Sequence, residues 1–107
     1  MGDDTAGYDF SVKTPQVEWL YEVKSSLEDS CEFEITANEL WVASGATKEG
    51  RRRYRILYIP HVLSPTDWFV LELPNPMGER TRTFFQTIGR ASMRLRFERA
   101  YTESLKS

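Results

Sequence analysis

Apolar and polar residues alternate with a period of two along two early stretches of the chain. In YDFSV, Tyr8, Phe10 and Val12 point one way and Asp9 and Ser11 the other. KTPQ follows, where Pro15 has the fixed φ that suits a tight turn. VEWLYEVK then alternates again, with Val17, Trp19, Tyr21 and Val23 opposite Glu18, Leu20, Glu22 and Lys24. Two alternating segments around a short turn predict an antiparallel hairpin. If the aromatic sides of both strands bury together, the register is set. Asp9 then shares a side with Glu22 and Lys24, opposite Glu22 or one step diagonal to it, about 5 to 8 Å away.

The remaining pattern predicts a sheet with two helices. CEFEI reads as a short strand with Cys31, Phe33 and Ile35 inward. Thr36 followed by Glu39 is a capping-box signature, so a helix starts there, with Gly50 as its stop. RYRILYIPHVL and TDWFVLELP, rich in β-branched and aromatic residues, read as two more strands, and PNPMG breaks the chain after them. Phe84, Ile88, Ala91 and Leu95 then recur at helical spacing, which predicts a C-terminal helix over about 79–102. The expected order is β-β-β-α-β-β-α in a single α/β domain spanning 1–107, with its core in 7–76.

Composition adds limits. The chain has 107 residues, 40% hydrophobic and 13% aromatic, enough for one folded core. The formal net charge of -2 does not advertise a nucleic-acid binder. The distribution changes that picture: acidic residues crowd the first half, whereas arginines gather at Arg51–Arg55 and between Arg80 and Arg99. Such a bipolar molecule can hold a cation at one place and phosphates beside it. Cys31 is the single cysteine, which excludes an intrachain disulfide and a cysteine-based zinc site. With neither a signal-peptide pattern nor a membrane-length apolar run, the expectation is an intracellular (cytoplasmic) protein with no membrane partner.

Candidate chemistry centres on Asp9, Glu22 and Lys24. Neighbouring carboxylates repel unless a cation joins them, and an amine beside them can steer a water. The bland reading is a solvated polar face. Glu39 reads first as a capping residue and Asn38 as a second candidate for the site. Arg51, Arg52, Arg53 and Arg55 read as phosphate contacts or as a solvated strand, and Arg90 and Arg94 as the same on a helix. His61 and Cys31 read as structural, and Trp19, Trp41 and Trp68 as core or interface.

The segments GYDF, YEVKSS, FEITANELWVA, YRILYI and NP together resemble the NO VEIN C-terminal domain family, over most of Gly7 to Pro76. That family belongs to the PD-(D/E)XK, or restriction-endonuclease-like, nuclease superfamily. The resemblance implies a mixed β-sheet with flanking helices and Mg²⁺- or Mn²⁺-dependent hydrolysis of DNA phosphodiesters, in restriction or defence. By the same resemblance Asp9 and Glu22 are the acidic metal ligands, the Val23 carbonyl joins them, and Lys24 is the superfamily's catalytic lysine. It implies a homodimer or a larger host protein, because cutting both strands needs two sites. Relatives carry a helix before the GYD strand; only Met1 to Ala6 stand there, so that helix is expected to be missing. The alternative is a catalytically inactive nuclease-like module that binds DNA or protein.

Overall fold

The computed structural model describes residues 6–46, 51–78, 84–88 and 94–98. The expected hairpin pairs β1 (Phe10–Lys13) with β2 (Glu18–Ser25) antiparallel, with Phe10 opposite Tyr21 and Lys13 opposite Glu18. Thr14 builds the turn: its hydroxyl donates to the Val17 carbonyl and accepts from the Val17 amide. The chain then runs through β3 (Glu32–Glu34) and α1 (Ala37–Gly45) before β4 (Arg52–Ile59) pairs parallel to β2. A parallel pair needs a crossover connection, and β3 with α1 supplies it. β5 (Leu71–Leu73) adds antiparallel to β4, giving a mixed sheet of order β1-β2-β4-β5.

α1 begins as expected. Thr36 is its N-cap, the Thr36 hydroxyl accepts from the Glu39 amide, and the Glu39 carboxylate accepts from the Thr36 amide. The helix ends at Gly45 with Ala46 as its cap, short of the expected stop at Gly50, and residues 47–50 lie outside the described set.

The helix expected over 79–102 is corrected. Among the described residues that stretch holds β6 (Phe85–Ile88) and β7 (Arg94–Phe97), which pair antiparallel. β3 pairs with β7, so β3, β7 and β6 form a second, antiparallel sheet. The stripe Phe84, Ile88, Ala91, Leu95 matched a helical period. However, Leu95 and Phe97 are buried while Arg94 and Arg96 lie outside them, a period of two. Strand pairing with distant β3 overrides the local helical pattern. The fold is mixed α/β with two sheets, and α1 is the one helix among the described residues.

A second correction concerns which side of the first sheet is covered. The buried side carries Leu20 and Glu22 of β2 and, in register beside them, Tyr54, Ile56 and Tyr58 of β4. The aromatic side, expected inside, is the more open one: Phe10 is 43% and Val12 47% exposed. Its aromatic groups are satisfied at the surface, Phe10 stacking on Tyr21 at 5.0 Å and Arg55 lying 5.0 Å over the Trp19 ring. On β4 the fully buried Tyr54, Ile56 and Tyr58 fall on the Leu20 side and Arg53 and Arg55 on the Trp19 side, and this decides the matter. The second sheet packs its aromatic residues onto the Tyr58 end of the covered face, with Phe33 and Phe97 at 6.4 and 5.2 Å from the Tyr58 ring. No helix among the described residues is long and apolar enough to cross a membrane.

Candidate functional site

β2 is the central element of the site. Residues i and i+2 of a strand share a side, so Leu20, Glu22 and Lys24 all point beneath α1 and the second sheet. Glu22 is 5% exposed, which is rare for a carboxylate without a partner. Lys24 is held there by Glu39, its ammonium 2.8 Å from Oε1. That same oxygen accepts from the Thr36 amide at 2.9 Å. The capping box of α1 and the ion pair of β2 therefore share one atom. Glu39 is both capping residue and site residue, and the expectation that ranked capping first described half of its work.

Asp9 sits just before β1 and is exposed. Its amide donates to the Tyr21 carbonyl, although Tyr21 already faces Phe10 across the ladder. Two residues thus meet one, the arrangement of a β-bulge, which re-aims a side chain. The carboxylate turns onto the neighbouring strand and accepts from the Val23 amide at 2.7 Å. Asp9 is not among the aromatic residues, and its charge reaches Glu22.

Glu22 lies within reach of two further carboxylates, Glu39 and Asp9, and of the Lys24 ammonium that pairs with Glu39. Burial, the hydrogen bond with Glu39, and the charges of Glu39 and Asp9 push the Glu22 carboxyl up to about 8, against a smaller opposing pull from Lys24. Burial alone would raise Glu39 too. Its hydrogen bonds with Lys24, the Thr36 amide and Glu22 outweigh that and hold it below the usual carboxylate range. At neutral pH the shared proton therefore resides on Glu22, and Glu39 keeps its charge opposite Lys24.

Tyr54 lies beneath this cluster and had no place among the expected site residues. It is 1% exposed and donates its hydroxyl hydrogen to the Gly7 carbonyl at 3.0 Å. Burial, then the charges of Glu22, Glu39 and Asp9, raise its pKa far above that of an ordinary phenol. The phenol stays neutral and anchors the segment that delivers Asp9. A signal was present in the sequence, because Tyr54 stands between Arg53 and Arg55, opposite them on the strand. Asn38 is half-buried on the first turn of α1, where its carbonyl lies against Gly7.

The donor set suits a hard cation. Mg²⁺ takes oxygen ligands, needs only one or two carboxylates, and keeps several waters. Asp9 and Glu22 offer carboxylate oxygens whose mutual repulsion a cation would relieve, replacing the proton on Glu22. No group of three or more His, Cys, Asp and Glu side chains placed to hold a metal occurs among the described residues.

The arginine run is divided by the pleat. Arg52 falls on the Glu22 side, 3.4 Å from Glu18 and 5.7 Å over the Tyr8 ring. Arg53 and Arg55 fall on the opposite side, where Arg55 also lies 3.7 Å from Glu72. Arg51 donates to the Pro15 carbonyl at 3.1 Å. Arg94 is on the second sheet, 3.9 Å from Glu34, and Arg90 lies outside the described residues. The structure therefore brings Asp9, Glu22, Lys24 and Glu39 together but does not gather the described arginines on one surface.

A family model described as Protein NO VEIN, C-terminal matches residues 1–71, about two thirds of the chain. That stretch contains Asp9, Glu22, Lys24, Glu39 and Tyr54. No curated protein and no solved structure matches.

Proposed function

We propose that this chain, which belongs to the NO VEIN C-terminal family, is a Mg²⁺- or Mn²⁺-dependent DNA endonuclease domain. The observation that carries the reading is the cluster around Glu22: a buried carboxylate beside Glu39 and within reach of the charge of Asp9, with Lys24 paired to Glu39 at 2.8 Å. Asp9 and Glu22 would hold the metal together with the backbone carbonyl of Val23, the residue between Glu22 and Lys24. When bound, the cation stabilises charge developing on the scissile phosphate and acidifies a nearby water. Lys24 orients that water and donates hydrogen bonds toward the phosphate. Glu39 fixes the Lys24 ammonium, and its own position is fixed by the start of α1. Tyr54 holds Gly7 and so sets the approach of Asp9.

One observation favours a second reading. The Lys24 side chain is 15% exposed and its ammonium already pairs with Glu39, as in a nuclease-like fold kept for binding DNA or protein without cleavage. Calorimetry with Mn²⁺ and plasmid nicking separate the two. Glu22→Ala should lose both metal binding and nicking, and Lys24→Ala should keep metal binding and lose nicking. Wild-type protein that neither takes up the metal nor nicks DNA would leave the binding module as the function.

A further inference from the structure

The face of the sheet that carries Glu22 continues toward the turn between β1 and β2. There it opens into a cleft of about 400 Å³ lined by Lys13, Thr14, Val17, Glu18, Arg51 and Arg52. Glu18 and Arg52 are register partners on β2 and β4, and Lys13 lies across from Glu18 on β1. Being an even number of residues from Glu22, Glu18 points to the same side of β2. Four residues of strand separate them, roughly 13 Å at about 3.3 Å per residue.

We propose that this cleft is a phosphate-binding subsite for the backbone of duplex DNA, beside the metal-dependent centre. The proposal rests on the nucleic-acid reading of the previous subsection and adds a place and a set of residues to it. The lining holds three cationic side chains and one carboxylate, so it carries a net positive charge while the Glu22 cluster carries a net negative one. Glu18 sits between Lys13 at 3.9 Å and Arg52 at 3.4 Å and keeps both cations at the rim. The Lys13 side chain is 76% exposed and that of Arg52 50%, so both heads reach solvent and a ligand. Arg51 is steadied by the Pro15 carbonyl, which fixes the third cation on the turn side of the cleft. The Thr14 hydroxyl is engaged within its own turn and Val17 is apolar. With Arg51 held by the Pro15 carbonyl and Arg52 by Glu18, the cleft offers positive charge more than a free donor fork for a base edge. It binds phosphate without regard to sequence. A span of about 13 Å covers about four base steps, at ~3.4 Å of rise each, so one duplex can touch the cleft and reach the centre. Arg53 and Arg55, on the other side of the sheet, take no part.

The experiment measures anisotropy of a labelled DNA duplex bound by the full chain with Ca²⁺ present, across a NaCl series, with Mn²⁺ calorimetry on the same proteins. Lys13→Ala combined with Arg51→Ala should weaken binding roughly tenfold and flatten the slope of log K against log salt by about 2, equally for unrelated sequences. Glu18→Gln should tighten binding, a direction that misfolding cannot produce. Mn²⁺ uptake should match wild type in all variants. A double variant with unchanged slope, a Glu18→Gln protein that binds no tighter, or a wild type that does not bind duplex would each overturn the subsite. If the slope changes as stated while wild type takes up no metal and nicks nothing, the cleft stands and the hydrolytic reading fails. If wild type nicks DNA and the cleft variants bind like it, the reverse holds.

Discussion

Glu22 and Gly7 are the residues on which the site depends, one through charge and one through space. A carboxyl raised to about 8 in the folded protein binds its proton more tightly there than in the unfolded chain. Between its ordinary value of 4.5 and about 8 the unfolded state holds fewer protons than the folded one, so stability falls as pH rises through that window. Glu39 is shifted the other way, and its contribution is lost only as pH falls below the ordinary carboxylate range. Metal-free wild type should therefore lose urea resistance from pH 5 to pH 8 relative to Glu22→Gln, in which that proton equilibrium is absent. Parallel pH profiles of the two proteins would contradict the assignment. Gly7 has a φ of 74°, and a Cβ there would lie 2.5 Å from Val42 Cγ2. Gly7→Ala therefore incurs backbone strain of about 1–3 kcal/mol and pushes α1 away from the segment that carries Asp9. The expected result is a lower melting temperature together with weakened Mn²⁺ binding, whereas a stability loss with full metal affinity would separate Gly7 from the site.

At the scale of elements, α1 links its own cap to the chemistry of β2. Thr36→Ala removes the hydroxyl that accepts from the Glu39 amide and should cost about 1 kcal/mol. Because Glu39 also holds Lys24, the same change should slow nicking while leaving Mn²⁺ affinity intact, and Thr36→Ser should restore both stability and rate. This link was half legible in the sequence. Thr36 and Glu39 announce the helix start by their spacing, but nothing local reveals that Lys24, 15 residues earlier, ends on the same oxygen. The hairpin, β3, α1 and β4 were legible because each has a clean period and a turn or cap at its end. β5 was found, but shorter than TDWFVLELP suggests. The covered side of β2 was not legible from β2 itself, since Trp19 and Tyr21 look more like core than Leu20 and Glu22 do. Only the parallel neighbour β4, placing Tyr54, Ile56 and Tyr58 beside that side, breaks the tie. The strands β6 and β7 were hidden for a related reason: their apolar residues fit two periods, and a partner some sixty residues away in sequence, β3, chooses between them.

Across the whole molecule, the site and its cover come from different parts of the chain. The family match ends at residue 71, where β5 begins, and the second sheet depends on β6 and β7 beyond it. Beside the β3–β7 ladder, Phe97 joins the two parts. It is 3% exposed, packs edge-on against Tyr58 at 5.2 Å, and lies near Phe33, Phe84 and Phe85. Removing that ring leaves a cavity between the sheets, and Phe97→Ala should cost about 3–5 kcal/mol in urea unfolding. Phe97→Leu, which keeps most of the volume, should cost much less. Glu22, Lys24, Glu39 and Tyr54 are all carried on β2, α1 and β4, so the folded fraction of Phe97→Ala should bind Mn²⁺ as wild type does. The part of the fold shared with the family would then hold the site, and the C-terminal strands would hold that part together. If Phe97→Ala loses metal affinity while still folded, the second sheet shapes the site as well as covering it. The aromatic contact with Tyr58, two residues along β4 from Ile56 and its neighbour Glu22, is then the route by which it does so.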